Sequence, residues 1–129
     1  MAKVMIMSPV LSEVIELEKL LVKAGYEVCK LTGSSGVLAK FDFEKPDILI
    51  VNADLGGGMD AVLGTIVSAP GMQRMVTVLL GNGNVSETEA YCRQMGLNGY
   101  YMAAQGLEGI VDFLKQFWGQ PAGEAGEPE

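Results

Sequence analysis

Short apolar runs alternate along this chain with segments in which apolar residues recur at helical spacing. Five runs are predicted to be strands, at 3–7, 26–31, 47–52, 75–80 and 97–102. The runs at 3–7, 47–52 and 75–80 are largely apolar, as buried strands are, whereas 26–31 alternates as an edge strand does. After each run comes a segment predicted to be helical, at 10–24, 37–44, 59–68, 86–95 and 106–118. Five alternations of strand and helix predict an α/β domain with a parallel sheet covered on both faces.

The run 47–52 is expected to be the central strand of that sheet. Pro46 ends the helix before it, and the three glycines Gly56–Gly58 follow it in a loop. In α/β proteins the loop at the carboxyl end of a buried parallel strand usually carries the chemistry. Asn52 and Asp54 are therefore the first candidate site residues.

Two sequence signals predict where helices begin. Ser8 is expected to cap the first helix, with Pro9 at the first helical position. Ser86 and Glu89 have the spacing of a capping box, which predicts the start of the fourth helix.

Composition narrows the function classes. The 129 residues fit one domain at 1–118, followed at 119–129 by a tail expected to be a disordered acidic end or linker. A net charge of −7 argues against nucleic acid or an anionic membrane as partner, because both require a basic surface. No apolar run is long enough for a membrane span, so a soluble cytoplasmic protein is expected.

The residue types available for chemistry are few. Histidine, the commonest general base and metal ligand, is absent from the sequence. Cys29 and Cys92 fall in different elements and have no metal-binding spacing, so reduced thiols are expected. These observations predict no metal, no cofactor and no enzymatic activity.

Several motifs in order carry a family resemblance. They are Lys-Val-Met-Ile-Met at 3–7, Lys-Ala-Gly-Tyr-Glu-Val at 23–28, Lys-Pro-Asp-Ile-Leu-Ile-Val at 45–51, Leu55 through Gly-Met-Asp at 58–60, and Gly-Leu-Asn-Gly-Tyr-Tyr-Met at 96–102. Over residues 3–118 the chain resembles the receiver domain of bacterial two-component response regulators. The resemblance implies a flavodoxin-like, doubly wound sheet with strand order 2-1-3-4-5.

Receivers transfer a phosphoryl group to an aspartate that ends the third strand. They also use an acidic pair that holds Mg²⁺, a Thr or Ser that ends the fourth strand, and a Lys-Pro that ends the fifth. Matching these positions gives, in the same order, Asn52 for the aspartate, Ser8 and Pro9 for the pair, Gly81 for the hydroxyl, and Ala103 with Ala104 for Lys-Pro. An amide is not a carboxylate nucleophile, and a neutral hydroxyl is a poor Mg²⁺ ligand. The resemblance therefore implies a phosphorylation pocket that has lost its functional residues. It predicts a pseudo-receiver that is not phosphorylated.

Alternatives remain open at this point. Asp54, two residues after Asn52, is a candidate displaced phosphosite, and Asp60 is a candidate helix cap. The Gly56–Gly58 loop has the composition of an anion-binding nest, and whether it binds a ligand is open. A small-molecule or nucleotide-binding flavodoxin-like domain is the second hypothesis. A hydrolase is the least favoured, because the sequence supplies no base for a nucleophile.

The resemblance also implies an interaction face. Tyr100 matches the aromatic switch residue of receivers, but without a hydroxyl at Gly81 it is expected to have a fixed packing or surface role. Phe113 lies off the apolar stripe of the last helix and is a candidate exposed contact together with Tyr100 or Tyr101. The expected partners are other signalling proteins or an output domain, or a second copy bound through the fourth helix, fifth strand and fifth helix.

Overall fold

A single parallel sheet organises the molecule. The computed structural model describes residues 3–8, 10–31, 43–52 and 76–118. Its five strands are β1 (Lys3–Met7), β2 (Glu27–Leu31), β3 (Ile48–Asn52), β4 (Val76–Gly81) and β5 (Gly99–Met102). All neighbours pair in parallel, in the order β2-β1-β3-β4-β5, which confirms the predicted fold and strand order.

Three α-helices lie entirely within the described residues, and residues 43 and 44 end a further helix. The three complete helices are α1 (Leu11–Lys23), α2 (Val85–Met95) and α3 (Ile110–Trp118). Two 3₁₀ turns, Ala103–Gln105 and Leu107–Gly109, join β5 to α3. The helix predicted at 59–68 and most of the one at 37–44 lie outside the described residues, as do Pro9, Asp54, Gly56–Gly58 and Asp60.

The central strands β1, β3 and β4 are buried on both faces, which explains why they read as continuous apolar runs, whereas the edge strand β2 has exposed residues at Glu27 and Lys30. Every residue of the central strand β3 is buried. On one face, Ile6, Ile50 and Val78 lie side by side in register and belong to the same core cluster as Leu17 of α1 and Leu114 of α3. Burying an aliphatic side chain of this size contributes about 1.5–3 kcal/mol, so this layer is a main source of stability.

One polar atom in the core is not satisfied. Tyr26 precedes β2 and packs in the core cluster, and its hydroxyl has no hydrogen-bond partner within the described structure. Burial raises the pKa of Tyr26, because the phenolate would lose its hydration. The ring therefore contributes by packing, whereas its oxygen weakens the core.

The predicted helix caps lie two residues away from the observed ones. The cap position of α1 is Val10, and Ser8 Oγ instead accepts a hydrogen bond from the Val10 amide at 3.1 Å. The cap of α2 is Asn84, whose side chain accepts from the Glu87 amide at 3.0 Å, so Ser86 lies inside the helix. Asn84 has the extended backbone that a cap requires, which the Ser-Glu spacing alone does not reveal.

No helix in the described ranges is both long and apolar enough to cross a lipid bilayer.

Candidate functional site

The carboxyl ends of the three central strands meet at one edge of the sheet. Met7 pairs with Val51, and Asn52 pairs with Leu80, so the residues that end β1, β3 and β4 lie side by side. Ser8 and Asn52 are each only 1% exposed there. A buried polar side chain needs a hydrogen-bond partner, and the side chains of Ser8 and Asn52 are hydrogen-bonded to each other.

Four side chains form a connected hydrogen-bond cluster at this edge, which we call the Asn52 cluster: Ser8, Glu13, Asn52 and Asn82. Asn52 Nδ2 donates to Glu13 Oε1 at 2.6 Å and to Ser8 Oγ at 3.3 Å. Ser8 Oγ donates to Glu13 Oε1 at 2.8 Å, and Asn82 Nδ2 donates to Asn52 Oδ1 at 3.2 Å. The cluster links β1, α1, β3 and the end of β4.

Glu13 dictates how the amide of Asn52 is oriented. A carboxylate only accepts hydrogen bonds, so the NH₂ group of Asn52 must face Glu13 and its carbonyl must face Asn82. The hydroxyl of Ser8 is fully used, because it donates to Glu13 and accepts from Asn52 and from the Val10 amide. Hydrogen bonds to a charged group contribute about 1.5–3 kcal/mol, so the arrangement is held firmly.

The cluster has little capacity for divalent metal. Glu13 supplies the one carboxylate of the cluster, and Asn52 and Ser8 already donate hydrogen bonds to it. Within the described ranges, no group of three or more His, Cys, Asp or Glu is arranged to hold a metal ion. Mg²⁺ prefers several hard oxygen ligands in octahedral geometry, which this set of side chains does not offer.

Gly81 ends β4 in a position that has no room for a side chain. A Cβ atom built there would lie 2.7 Å from Thr88 Oγ1 and 2.8 Å from Met102 Sδ. A Thr or Ser at Gly81 would therefore collide with helix α2 and strand β5. Ala103 and Ala104, matched to Lys-Pro, lie in the 3₁₀ turn after β5 and carry no charge.

Glu13 and Asn82 are the two cluster members that the sequence did not reveal. An acidic residue in the first turn of a helix is ordinarily explained by the helix dipole, so Glu13 carried no special signal. Asn82 follows Gly81 in a glycine- and asparagine-rich turn, where polar residues are expected for conformational reasons. Their shared role depends on the strand ends meeting in space.

Of the two tyrosines offered as alternatives for the interaction face, Tyr101 is the buried one. Tyr101 is 7% exposed, belongs to the core cluster and donates its hydroxyl to the Gly106 carbonyl. Its ring packs against Phe113 with centroids 5.4 Å apart and a tilt of 55°. Strand alternation directs Tyr101 towards the face of its neighbour Leu80 in β4, while Tyr100 next to it is half-buried.

Burial raises the pKa of Tyr101, and the nearby negative charge of Glu108 acts in the same direction, while the backbone of Gly109 opposes them. Phe113, predicted to be exposed, is half-buried against the core cluster. Both aromatic rings therefore have a structural role.

Beside these rings, a groove of about 560 Å³ runs between β5 and α3. Its walls include Tyr100, Phe113 and the backbone of Gly99, with Asp112 and Gln116 of α3 along one side. The groove lies on the predicted interaction face.

Comparisons with known proteins agree with this architecture. The sequence matches no protein-family model and no curated protein. A CheY-like response regulator receiver domain protein from Methanospirillum hungatei superimposes with a TM-score of 0.77 at 17% identity, covering 97% of this chain and 99% of that one. The chemotaxis response regulator CheY4 of Vibrio cholerae superimposes with a TM-score of 0.80 at 19% identity, covering 90% and 98%.

A third solved structure, the phosphorylated cyanobacterial phytochrome response regulator RcpA, superimposes with a TM-score of 0.74 at 18% identity and covers 99% of both chains. Together with the strand order, these similarities show that the chain has the fold of the response regulator receiver domains.

Proposed function

We propose that this protein is a pseudo-receiver, a module of receiver fold that acts in bacterial signal transduction by binding other proteins and is not phosphorylated at the acceptor position. The observation that carries the proposal is the 2.6 Å hydrogen bond from Asn52 Nδ2 to Glu13 Oε1. At this position phosphorylation would require a free carboxylate, whereas Asn52 has an NH₂ group that donates to the carboxylate of Glu13.

Three further features support the proposal. Asn52 is an amide, and acyl phosphate formation requires a carboxylate. Ser8 is neutral and already holds Glu13, so it is a weak ligand for Mg²⁺. Gly81 and Ala103 provide neither the hydroxyl nor the cation that would neutralise a bound phosphoryl group.

The partner surface that we propose is the groove between β5 and α3. Aromatic walls with polar groups along one side are typical of protein contact sites, where Tyr and Phe side chains supply much of the binding energy. The expected occupant is another signalling protein or an output domain, and self-association through the same face is the alternative.

A phosphorylation assay tests the first part of the proposal. The protein is incubated with Mg²⁺ and acetyl phosphate or beryllofluoride, beside a phosphorylatable receiver as positive control. We expect no gain in intact mass and no amide NMR shifts near Asn52. A phosphoryl adduct that survives in the wild type and disappears in Asp54→Asn would replace the proposal with an atypical receiver phosphorylated at Asp54.

A matched pair of variants tests the proposed surface. Asp112→Lys changes the charge at the groove, and Glu16→Lys makes the same change at an exposed position of α1. Partners captured from host lysate by cross-linking should be lost with Asp112→Lys and retained with Glu16→Lys. Loss with both variants, or with neither, would contradict a binding site in this groove. Sedimentation of the three proteins distinguishes self-association from binding to another chain.

The small-molecule hypothesis stays an alternative, and next to the Asn52 cluster the described residues line only a small pocket. The pocket next to the Asn52 cluster, lined by residues that include Asn82, Asn84 and Tyr91, has a volume of about 220 Å³. Sites for drug-sized ligands and cofactors usually measure about 300–1,000 Å³. A thermal-shift panel of nucleotides and flavins is expected to leave the melting temperature unchanged.

A further inference from the structure

The chain contains two asparagine–glycine pairs, and the structure treats them differently. Asn82-Gly83 lies between β4 and α2, and Asn98-Gly99 lies at the start of β5. Asparagine followed by glycine is chemically the most reactive context for loss of the side-chain amide, because glycine leaves the next backbone nitrogen unhindered. Whether the reaction occurs depends on how the fold holds each pair.

The pair at 82–83 is constrained through the Asn82 side chain, which donates to Asn52 Oδ1, and its backbone is more accessible than that of the pair at 98–99. Both residues are exposed, and a Cβ atom built on Gly83 would meet no atom within 4 Å. Among the described residues, no hydrogen bond engages the amide of Gly83. The segment lies in a connecting turn, where the backbone can rotate to bring that nitrogen to the Asn82 side chain.

The pair at 98–99 is held by the sheet, although Asn98 is also exposed. Asn98 Oδ1 accepts from the Thr77 amide at 2.7 Å, and the Asn98 amide donates to the Thr77 carbonyl at 3.0 Å. Gly99 pairs with Val78 as the first residue of β5. Ring closure here would break these bonds and detach the start of an edge strand.

We propose that Asn82-Gly83 is a site of spontaneous deamidation in the folded protein and that Asn98-Gly99 is protected from it. The Gly83 nitrogen gives up its proton and attacks Cγ of Asn82, forming a cyclic succinimide, and the Cγ–Nδ2 bond breaks with release of ammonia. Water then opens either carbon–nitrogen bond of the ring, giving aspartate or isoaspartate at position 82. The net reaction consumes one water and releases one ammonia, without any oxidant or reductant.

The reaction alters the Asn52 cluster. In the native protein Asn82 Nδ2 donates to Asn52 Oδ1, and a carboxylate at this position has no proton to donate. Two acceptor oxygens would then face each other, and one negative charge is added to the native −7. The isoaspartate product also lengthens the backbone between β4 and α2. Deamidation should therefore loosen the end of β4 from β3.

Peptide mapping provides the test, because trypsin separates the two pairs. Cleavage after Arg74, Arg93 and Lys115 places Asn82 in peptide 75–93 and Asn98 in peptide 94–115. The full chain is aged in mildly alkaline buffer, once folded and once in urea, then digested and analysed by fragmentation mass spectrometry. We expect Asn82 to deamidate several-fold faster than Asn98 in the folded protein and the two rates to converge in urea.

Gly83→Ala is the matched variant. A methyl group fits at Gly83 without contact, so the fold should be retained, while it hinders attack by the backbone nitrogen. The variant should deamidate at Asn82 several-fold more slowly and leave Asn98 unchanged. Equal rates at the two pairs in the folded protein, or an Asn82 rate unaffected by Gly83→Ala, would overturn the proposal.

Discussion

Replacing Asn52 by aspartate would restore the acceptor type of the receiver family, yet we expect it to damage the domain. In the native structure Asn52 Nδ2 lies 2.6 Å from Glu13 Oε1. In Asn52→Asp a carboxylate oxygen would occupy the place of this donor. Two carboxylates would then face each other in a site that is almost closed to water at position 52.

The cost can be worked from this geometry. Two carboxylate charges about 4 Å apart repel by about 4 kcal/mol at an effective dielectric constant of about 20. One proton shared by the two carboxylates would remove the repulsion. Keeping that proton bound at pH 7, about three units above the usual pKa of a carboxyl group, costs about 4 kcal/mol as well. Small side-chain movements would reduce both the repulsion and the cost of protonation. We therefore expect Asn52→Asp to lower the free energy of unfolding by about 2–4 kcal/mol at pH 7.

The effect has a characteristic pH dependence. The folded variant holds a proton that the unfolded chain releases near pH 4, so its stability is retained at low pH and lost as the pH rises towards 7. Urea unfolding followed by circular dichroism, at about pH 5 and about pH 7, measures the difference. Gln94→Glu, at an exposed position of α2, adds the same charge without a facing carboxylate and should change stability by less than about 0.5 kcal/mol.

A double variant separates the pair from other effects. Asn52→Asp combined with Glu13→Gln exchanges the amide and the carboxylate, so a donor again faces an acceptor. We expect it to recover most of the lost stability at neutral pH. If Asn52→Asp alone were as stable as the wild type at pH 7, or if adding Glu13→Gln brought no recovery, the interpretation of the cluster would be refuted.

Three further tests by urea unfolding address other parts of the structure. Gly81→Ala should lower stability by about 1–3 kcal/mol, because its methyl group would overlap Thr88; Thr88→Ala in the same chain should restore part of it. Tyr26→Phe removes a buried hydroxyl without a partner and should stabilise the domain by about 1 kcal/mol. Because burial raises the pKa of Tyr26 above its ordinary 10.0, wild-type stability should fall as the pH rises past this value, and Tyr26→Phe should lack that contribution. Asn84→Ala should cost about 1 kcal/mol as a lost helix cap, whereas Ser86→Ala should change stability by less than about 0.5 kcal/mol; a larger effect at Ser86 would contradict the observed cap.

The fold was predictable because its signals are local and repeated. Within the run at 47–52, residues 48–51 are Ile, Leu, Ile and Val, and the run lies between Pro46 and a glycine loop, so its identity as a buried strand follows from composition. Element ends were less predictable. Ser86 and Asn84 are both good cap residues, and the choice between them depends on the backbone leaving β4.

The sequence was enough to predict which receiver residues the candidate site does not have. It was not enough to predict the contacts of the residues that stand in their place. Asn52 and Ser8 could be identified by position along the strands. Glu13 could not, because its contact with Asn52 spans 39 residues and depends on how α1 packs against the sheet. The choice between Tyr100 and Tyr101 stays open in the sequence for a similar reason: neighbouring residues of a strand point to opposite faces, and the sequence does not say which tyrosine faces the core.

The close approach at Gly81 has a consequence for evolution. A hydroxyl-bearing residue there meets Thr88 and Met102, so it would be tolerated only after the surrounding residues had changed. The benefit of such a change would appear only once an acceptor carboxylate and its supporting groups were also present. Under the proposed pseudo-receiver role, introducing the family's residue at Gly81 or at Asn52 is expected to destabilise the fold before any phosphorylation is gained, so selection on stability alone would act against either change.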